Sequence, residues 1–365
     1  MNLAVLIDYL ESVAPLRYQE SYDNSGLIVG NRNQEIDGAI ISLDCTEEVV
    51  DEAIRSGCQL IISHHPIVFK GLKRFNGSSY VERVVMKAIK HDIALYAIHT
   101  NLDNIYGGVN KKIAERLMLE HLSILSPKGD LLRKLAVFVP KPQAEQLRSA
   151  LFGAGAGYIG NYSECSFNLS GTGTFKAEAD ANPYVGQVGK RHEENEERIE
   201  VVYPQDKERQ ILRAMYESHP YEEVAYDLYQ LQNAYDKVGS GMIGTLTEPM
   251  EEIAFLRFLQ DRLAAKVVRH TKLKGRKVQR VAVCGGSGGF LLPYAIRQGA
   301  DVFVTADYKY HEFFDAEGKI VIADVGHFES EQFTQELLLE IIQKKFPNFA
   351  VRLTGINTNP INYYI

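Results

Sequence analysis

The chain has 365 residues, 45% hydrophobic and 24% charged, with a formal net charge of -7. Such a length exceeds one ordinary core, so two domains, or one domain with an insertion, are expected. The negative balance argues against nucleic acid or an anionic membrane as the main partner. No apolar run reaches the roughly 18 residues of a membrane span.

Residues 1–16 carry Asp8 and Glu11 among apolar positions, which reads as an amphipathic helix rather than a signal peptide. Gly26 to Gly30 is a short predicted strand, and residues 39–43 are a second, ending at Asp44-Cys45-Thr46. Thr46 followed by Glu47-Glu48 predicts a helix start, with Val49, Val50, Ala53 and Ile54 as its apolar stripe and Gly57 as its end. A strand over 60–64 follows, then a helix over 81–90 and a strand over 93–98. The first of these strands ends in Ser63-His64-His65-Pro66 and the second in His99-Thr100-Asn101-Leu102-Asp103. The four cysteines, Cys45, Cys58, Cys165 and Cys284, form no Cys-x-x-Cys pair. That spacing suits a reduced cytoplasm and removes thiolate zinc sites from consideration.

From about Pro127 the pattern changes. Strands over 135–139, 165–169, 198–202 and 224–229 alternate with helices over 143–152 and 206–218. This β-α-β-β-α-β order is the ferredoxin-like pattern, and 127–234 is therefore predicted to be an inserted α+β domain. The charged run 190–198 reads as a solvated loop between its strands. The flanking stretches, 1–126 and 235–365, form the other, discontinuous domain.

In the second α/β stretch a helix over 255–263 precedes a buried strand over 281–284, which opens into Gly285-Gly286-Ser287-Gly288-Gly289. A helix over 290–298 closes at Gly299. Strands over 301–305 and 320–324 end in Ala306-Asp307 and in Gly326-His327-Phe328-Glu329-Ser330-Glu331. The order of elements repeats that of 39–103, down to the phrases Arg55-Ser56-Gly57 and Arg297-Gln298-Gly299. We read a duplicated α/β unit with mostly parallel sheets, whose strand ends meet at one cleft.

Two further histidines stand at strand ends with a carboxylate four residues on: His99 with Asp103, and His327 with Glu331. On a helix those spacings share a face. A lone pair of this kind is more often a surface contact, and Glu331 also suits a first helical turn. Together with His64 and His65, however, three such coincidences point to one site. Imidazole and carboxylate without thiolate suit zinc, iron, manganese or cobalt. Five or six ligands exceed one tetrahedral ion and point to two ions. The glycine-rich turn could cradle a phosphate, but it matches neither the phosphate-loop nor the dinucleotide pattern, and tight packing explains it equally well.

These phrases resemble the NGG-interacting-factor-three-like family, many members of which carry the name GTP cyclohydrolase 1 type 2 homolog. The resemblance covers 1–126 and 235–365. Within the insert, residues 157–163 and His219-Pro220-Tyr221-Glu222-Glu223 are similar to the divalent-cation-tolerance and nitrogen-regulatory signal proteins. The resemblance implies two divalent ions per chain, zinc, iron or manganese, held by His64, His65, Asp103, His327 and Glu331. It also implies a hexameric ring. His99 is not in the ligand set implied. With Asp307 and His311 it is a candidate for proton transfer or substrate positioning. Three functions remain in view: a cyclohydrolase attacking a guanine ring, a phosphoesterase, or a metal-holding scaffold whose insert senses a ligand. Lys70, Lys73, Arg74 and Lys309 are a modest provision for a nucleotide triphosphate.

Overall fold

The computed structural model describes residues 1–364. It divides into two compact units, residues 1–127 with 236–365 and residues 128–235.

In the first unit α1 (Leu3–Val13) leads to β1 (Gly26–Val29), β2 (Gly38–Ser42), α2 (Glu47–Ser56), β3 (Leu60–Ser63), α3 (Tyr80–Lys90) and β4 (Ala94–Ala97). The start and stop signals act locally. Thr46 accepts a hydrogen bond from the Val49 N–H, Ser79 from the Glu82 N–H, and α2 stops at Gly57 with φ +67°. Two short helices, α4 (Thr100–Asp103) and α5 (Val109–Arg116), precede β5 (Leu119–Lys128).

The second unit runs β6 (Leu132–Pro140), α6 (Ala144–Gly153), β7 (Phe167–Lys176), β8 (Arg191–Pro204), α7 (Glu208–Ser218) and β9 (Tyr226–Leu231). Its strands lie in the order β7-β8-β6-β9, all antiparallel. Leu135, Val137, Val139, Ile199, Val201 and Tyr203 line one face and pack on Leu147, Leu151, Ile211 and Met215 of the helices. The run 190–198 is not a solvated loop, as expected from its charge. It is the first half of β8, paired residue by residue with β7 from Lys176↔Arg191 to Phe167↔Glu200. Salt-bridging side chains on an exposed two-stranded ladder satisfy the strand geometry without an apolar face, so hydropathy does not reveal it.

The first unit resumes with β10 (Tyr235–Met250), α8 (Glu252–Leu263), β11 (Arg269–His270), β12 (Val278–Ser287), α9 (Leu292–Arg297), β13 (Val302–Ala306) and β14 (Val321–Asp324). It ends with α10 (His327–Glu331), α11 (Thr334–Lys345) and β15 (Ala350–Leu353). One sheet has the order β1-β4-β3-β2-β15 and the other β11-β14-β13-β12-β10-β5. The duplication is visible in these orders. In each half three consecutive parallel strands carry an antiparallel strand beside the third.

Every residue of β2, β3, β4, β13 and β14 is buried, as befits parallel strands covered on both faces. Ile41, Ile62 and Tyr96 of one sheet and Val283, Val304 and Ala323 of the other belong to one shared core. The helices α1, α5, α8 and α11 add to it. Phe255 and Phe303 are fully buried, each worth about 1.5–3 kcal/mol of transfer free energy. No described helix is long and apolar enough to cross a membrane.

Candidate metal centre

Register places the histidines. Ser42, Ser63 and Ala97 are aligned across β2, β3 and β4, so Asp44, His64, His65 and His99 emerge at one level from the carboxyl ends of adjacent strands. In the other sheet Thr305 aligns with Asp324, which sets Asp307 beside the start of α10. One turn of α10 then brings His327 Nε2 within 3.0 Å of Glu331 Oε2.

His64 is fully buried, and its Nδ1 donates to the Ile98 carbonyl at 2.9 Å. A carbonyl can only accept, so the proton sits on Nδ1 and Nε2 presents a bare lone pair. That lone pair faces Asp103 Oδ1 at 3.6 Å and Glu331 Oε2 at 3.8 Å. Neither His64 Nε2 nor Asp103 Oδ1 has a hydrogen-bond partner. An imidazole lone pair and two carboxyl groups thus meet in a buried space without a hydrogen bond among these atoms, an arrangement that a cation relieves.

The second group is built alike. His65 Nδ1 donates to Asp44 Oδ1, and His327 Nδ1 to Asp307 Oδ2, both at 2.7 Å. Their Nε2 atoms lie 3.3 Å apart, and His65 Nε2 is 2.9 Å from Glu331 Oε2. Burial opposes protonation of His65, but Asp44 and Glu331 outweigh it and lift its pKa to about 9. The same opposition, with Glu331 and Asp307 dominant, lifts His327 to about 11. Burial holds His64 down at about 4. Burial and the Glu331 charge push the Asp103 carboxyl well above its usual range. Glu331 is itself penalised by burial, yet His327 and the other two imidazoles hold it well below its ordinary value. Positive charge on His65 and His327 offsets the Glu331 carboxylate, a role that a divalent ion could take in their place.

Three sets of donor atoms lie within 4.8 Å of one another: His64, His65 and His99; His65, His327 and Glu331; His64, Asp103 and Glu331. All five residues of the expected ligand set are thus brought together, and their chemistry fits one or more divalent ions. His99 joins them, with ring centroids 5.2 Å from His64 and 5.4 Å from His65. Its Nδ1 is 2.8 Å from Asp23 Oδ1. Burial works against the Asp23 carboxylate, but hydrogen bonds from His99 and Thr100 hold it well below its usual range. Asp307 reaches the cluster as the carboxylate on His327 rather than as a free acid. His311 does not reach it. It is exposed in the 3-10 helix after β13 (Tyr310–Ala316), its ring edge-to-face with that of Tyr310.

The sequence reading missed Asp44 and Asp23. Asp44 had a signal, since a carboxylate ends the strand before the histidine's strand in both halves. Asp23 had none, because it lies in an irregular loop 76 residues from His99.

The family profile of Duf34/NIF3 (NGG1p interacting factor 3) matches residues 1–360. A Bacillus subtilis protein named GTP cyclohydrolase 1 type 2 homolog is 40% identical, covering 100% of this chain and 99% of its own. A crystal structure of a Bacillus cereus protein related to NIF3 superposes with TM-score 0.87 at 39% identity, over 100% of this chain and 99% of that one. The Staphylococcus aureus protein SA1388 superposes with TM-score 0.79 at 30% identity, with the same coverage. The chain therefore belongs to the Duf34/NIF3 (NGG1p interacting factor 3) family.

Proposed function

We propose that this chain is a metal-dependent hydrolase with a dinuclear centre. His64, Asp103 and Glu331 would hold one divalent ion, and His65, His327 and Glu331 the other. Bound there, such a pair supplies Lewis acidity and a water acidic enough to act near neutral pH. The observation that carries the reading is the buried lone pair of His64 Nε2, turned onto Asp103 and Glu331 without a hydrogen bond to either.

The remaining residues have definable tasks. Asp44 and Asp307 fix the tautomers of His65 and His327 by accepting from Nδ1. Asp23 does the same for His99, whose ring lies beside those of His64 and His65, within reach of a reacting group held there. The name of the curated relatives supports hydrolysis as the reaction class. A cytoplasmic hexameric ring, as the family resemblance implies, belongs to the same reading, as does a ligand-sensing role for the insert.

The test is turnover. Chelator-stripped protein, reloaded with zinc, manganese or iron, is incubated with guanosine and with GTP while formate and inorganic phosphate are followed separately. Product is expected only with metal, and is expected to vanish in Glu331→Ala. Product in the stripped protein, or undiminished product in Glu331→Ala, overturns the reading. So does the absence of any product with all three metals, which would leave a metal-holding scaffold.

A further inference from the structure

The cavity beside the histidines encloses about 730 Å³. Four carboxyl groups, those of Glu20, Asp44, Asp103 and Glu331, stand in its lining, and among the described residues no lysine or arginine does. Lys70, Lys73, Arg74 and Lys309, the cations nearest to the site in sequence, are all exposed and lie outside the lining. On the dinuclear reading just given, two divalent ions would cancel those four negative charges and leave no surplus for a polyphosphate. Without ions, His65 and His327 are already engaged by Asp44 and Glu331, so no cation in the lining is left over for a polyphosphate.

The glycine-rich turn does not make up the difference. Three of its five N–H groups are already engaged by the protein: Gly285 donates to Asn110 Oδ1, Gly286 to Ser330 Oγ and Gly288 to Thr305 Oγ1, each at 3.0 Å. A phosphate cradle needs such groups free and pointing at the ligand. The cations that the sequence suggested for phosphate are therefore absent from the lining, and most of the turn's N–H groups are taken.

What the cavity offers instead is aromatic surface. Tyr22, Phe69, Tyr80 and Phe290 come from four separate segments to line it, and each is 47–65% exposed. Rings left open around such a cavity are stacking surfaces for planar ligands. Ser240 and Ser287 add neutral hydroxyls to the wall.

We propose that the site takes an uncharged planar nitrogen heterocycle, as a nucleobase or nucleoside, and not a nucleoside triphosphate. This deepens the hydrolase reading and relies on it only for the cancelled charge.

Guanosine and GTP share the base and sugar, so comparing them isolates the triphosphate. Bound metal in the full chain is first measured by elemental analysis. Equilibrium dialysis with each radiolabelled compound is then run on metal-loaded and on chelator-stripped protein. Guanosine is expected to bind at least tenfold more tightly than GTP, with little change between about 50 mM and about 500 mM salt. Phe290→Ala and Tyr80→Ala are each expected to weaken guanosine about tenfold, as for loss of one stacked ring, with metal content unchanged. GTP binding tighter than guanosine overturns the proposal. So does failure of guanosine to bind metal-loaded protein, or indifference to both substitutions. A chain that holds no ion sinks the hydrolase reading alone, because preference for guanosine over GTP would still support this one.

Discussion

His65 and His327 stand 262 residues apart in sequence, yet their Nε2 atoms face each other at 3.3 Å over the same Glu331 oxygen. Each ring is clamped from behind by an aspartate at 2.7 Å, Asp44 for His65 and Asp307 for His327. In each case the aspartate ends the strand that precedes the histidine's strand in the chain. Two halves of a duplicated unit thus contribute one imidazole apiece, each with its own orienting carboxylate.

The clamps should matter to ions more than to folding. Asp44→Ala and Asp307→Ala are expected to weaken metal binding about 10- to 100-fold with circular dichroism unchanged. Competition against a chromogenic chelator measures the affinity. Wild-type affinity in both variants would show that packing alone orients the rings.

Asp103 is expected to matter differently to the metal-bound and the metal-free chain. Its buried carboxyl lies against His64 and is disfavoured by the Glu331 charge. Asp103→Asn is therefore expected to leave the melting temperature of stripped protein unchanged or higher, while removing the rise produced by added zinc. Thermal denaturation with and without metal reads both. A lower melting temperature in stripped Asp103→Asn would mean that the carboxylate has a structural partner.

The glycine-rich turn is a packing device. Gly286 has φ +58°, and a Cβ there would lie 2.5 Å from Glu331 Oε1. Gly286→Ala is expected to cost about 1–3 kcal/mol and to weaken ion binding by displacing Glu331. Gly299 shares the left-handed conformation, φ +70°, but nothing lies within 4 Å of its Cβ position. Gly299→Ala should therefore destabilise without touching metal content. Equal metal loss in both would point to general unfolding rather than to Glu331.

The insert carries its own pH dependence. His219 donates from Nε2 to the Phe138 carbonyl at 2.9 Å and accepts at Nδ1 from the Tyr221 N–H at 3.1 Å. Burial lowers its pKa below the ordinary 6.5. Below pH 6.5 the unfolded chain binds the additional proton first, so stability of this unit should fall as the pH drops from 6.5 toward the depressed value. Hydrogen exchange of β6 and α7 amides across that range reports it, and His219→Asn should flatten the response. Protection that rises on acidification would contradict the neutral assignment.

Much of this was legible in the chain because buried parallel strands write themselves as apolar runs. Residues 60–64 and 320–324 are examples, and their polar ends mark the site. The spacing of His327 and Glu331 likewise survives as one turn of α10. The long strands β5 and β10 and the first half of β8 were not legible. Their polar residues and glycines follow ladder pairing rather than an apolar alternation. The ligand-orienting carboxylates were harder still, since an aspartate at a strand end looks like any helix cap until its partner is known. His64 and His65 looked equivalent as neighbours. Only the backbone direction shows that one turns to the Ile98 carbonyl and the other to Asp44.

The metal centre stands or falls on ion content. Elemental analysis of protein purified without chelator, with anomalous scattering from its crystals, should find about two divalent ions per chain beside His64, His65, Asp103, His327 and Glu331. The His64→Ala, His327→Ala double variant should lose them while remaining folded. Full occupancy in that variant, or ions bound only elsewhere in the chain, would contradict the assignment.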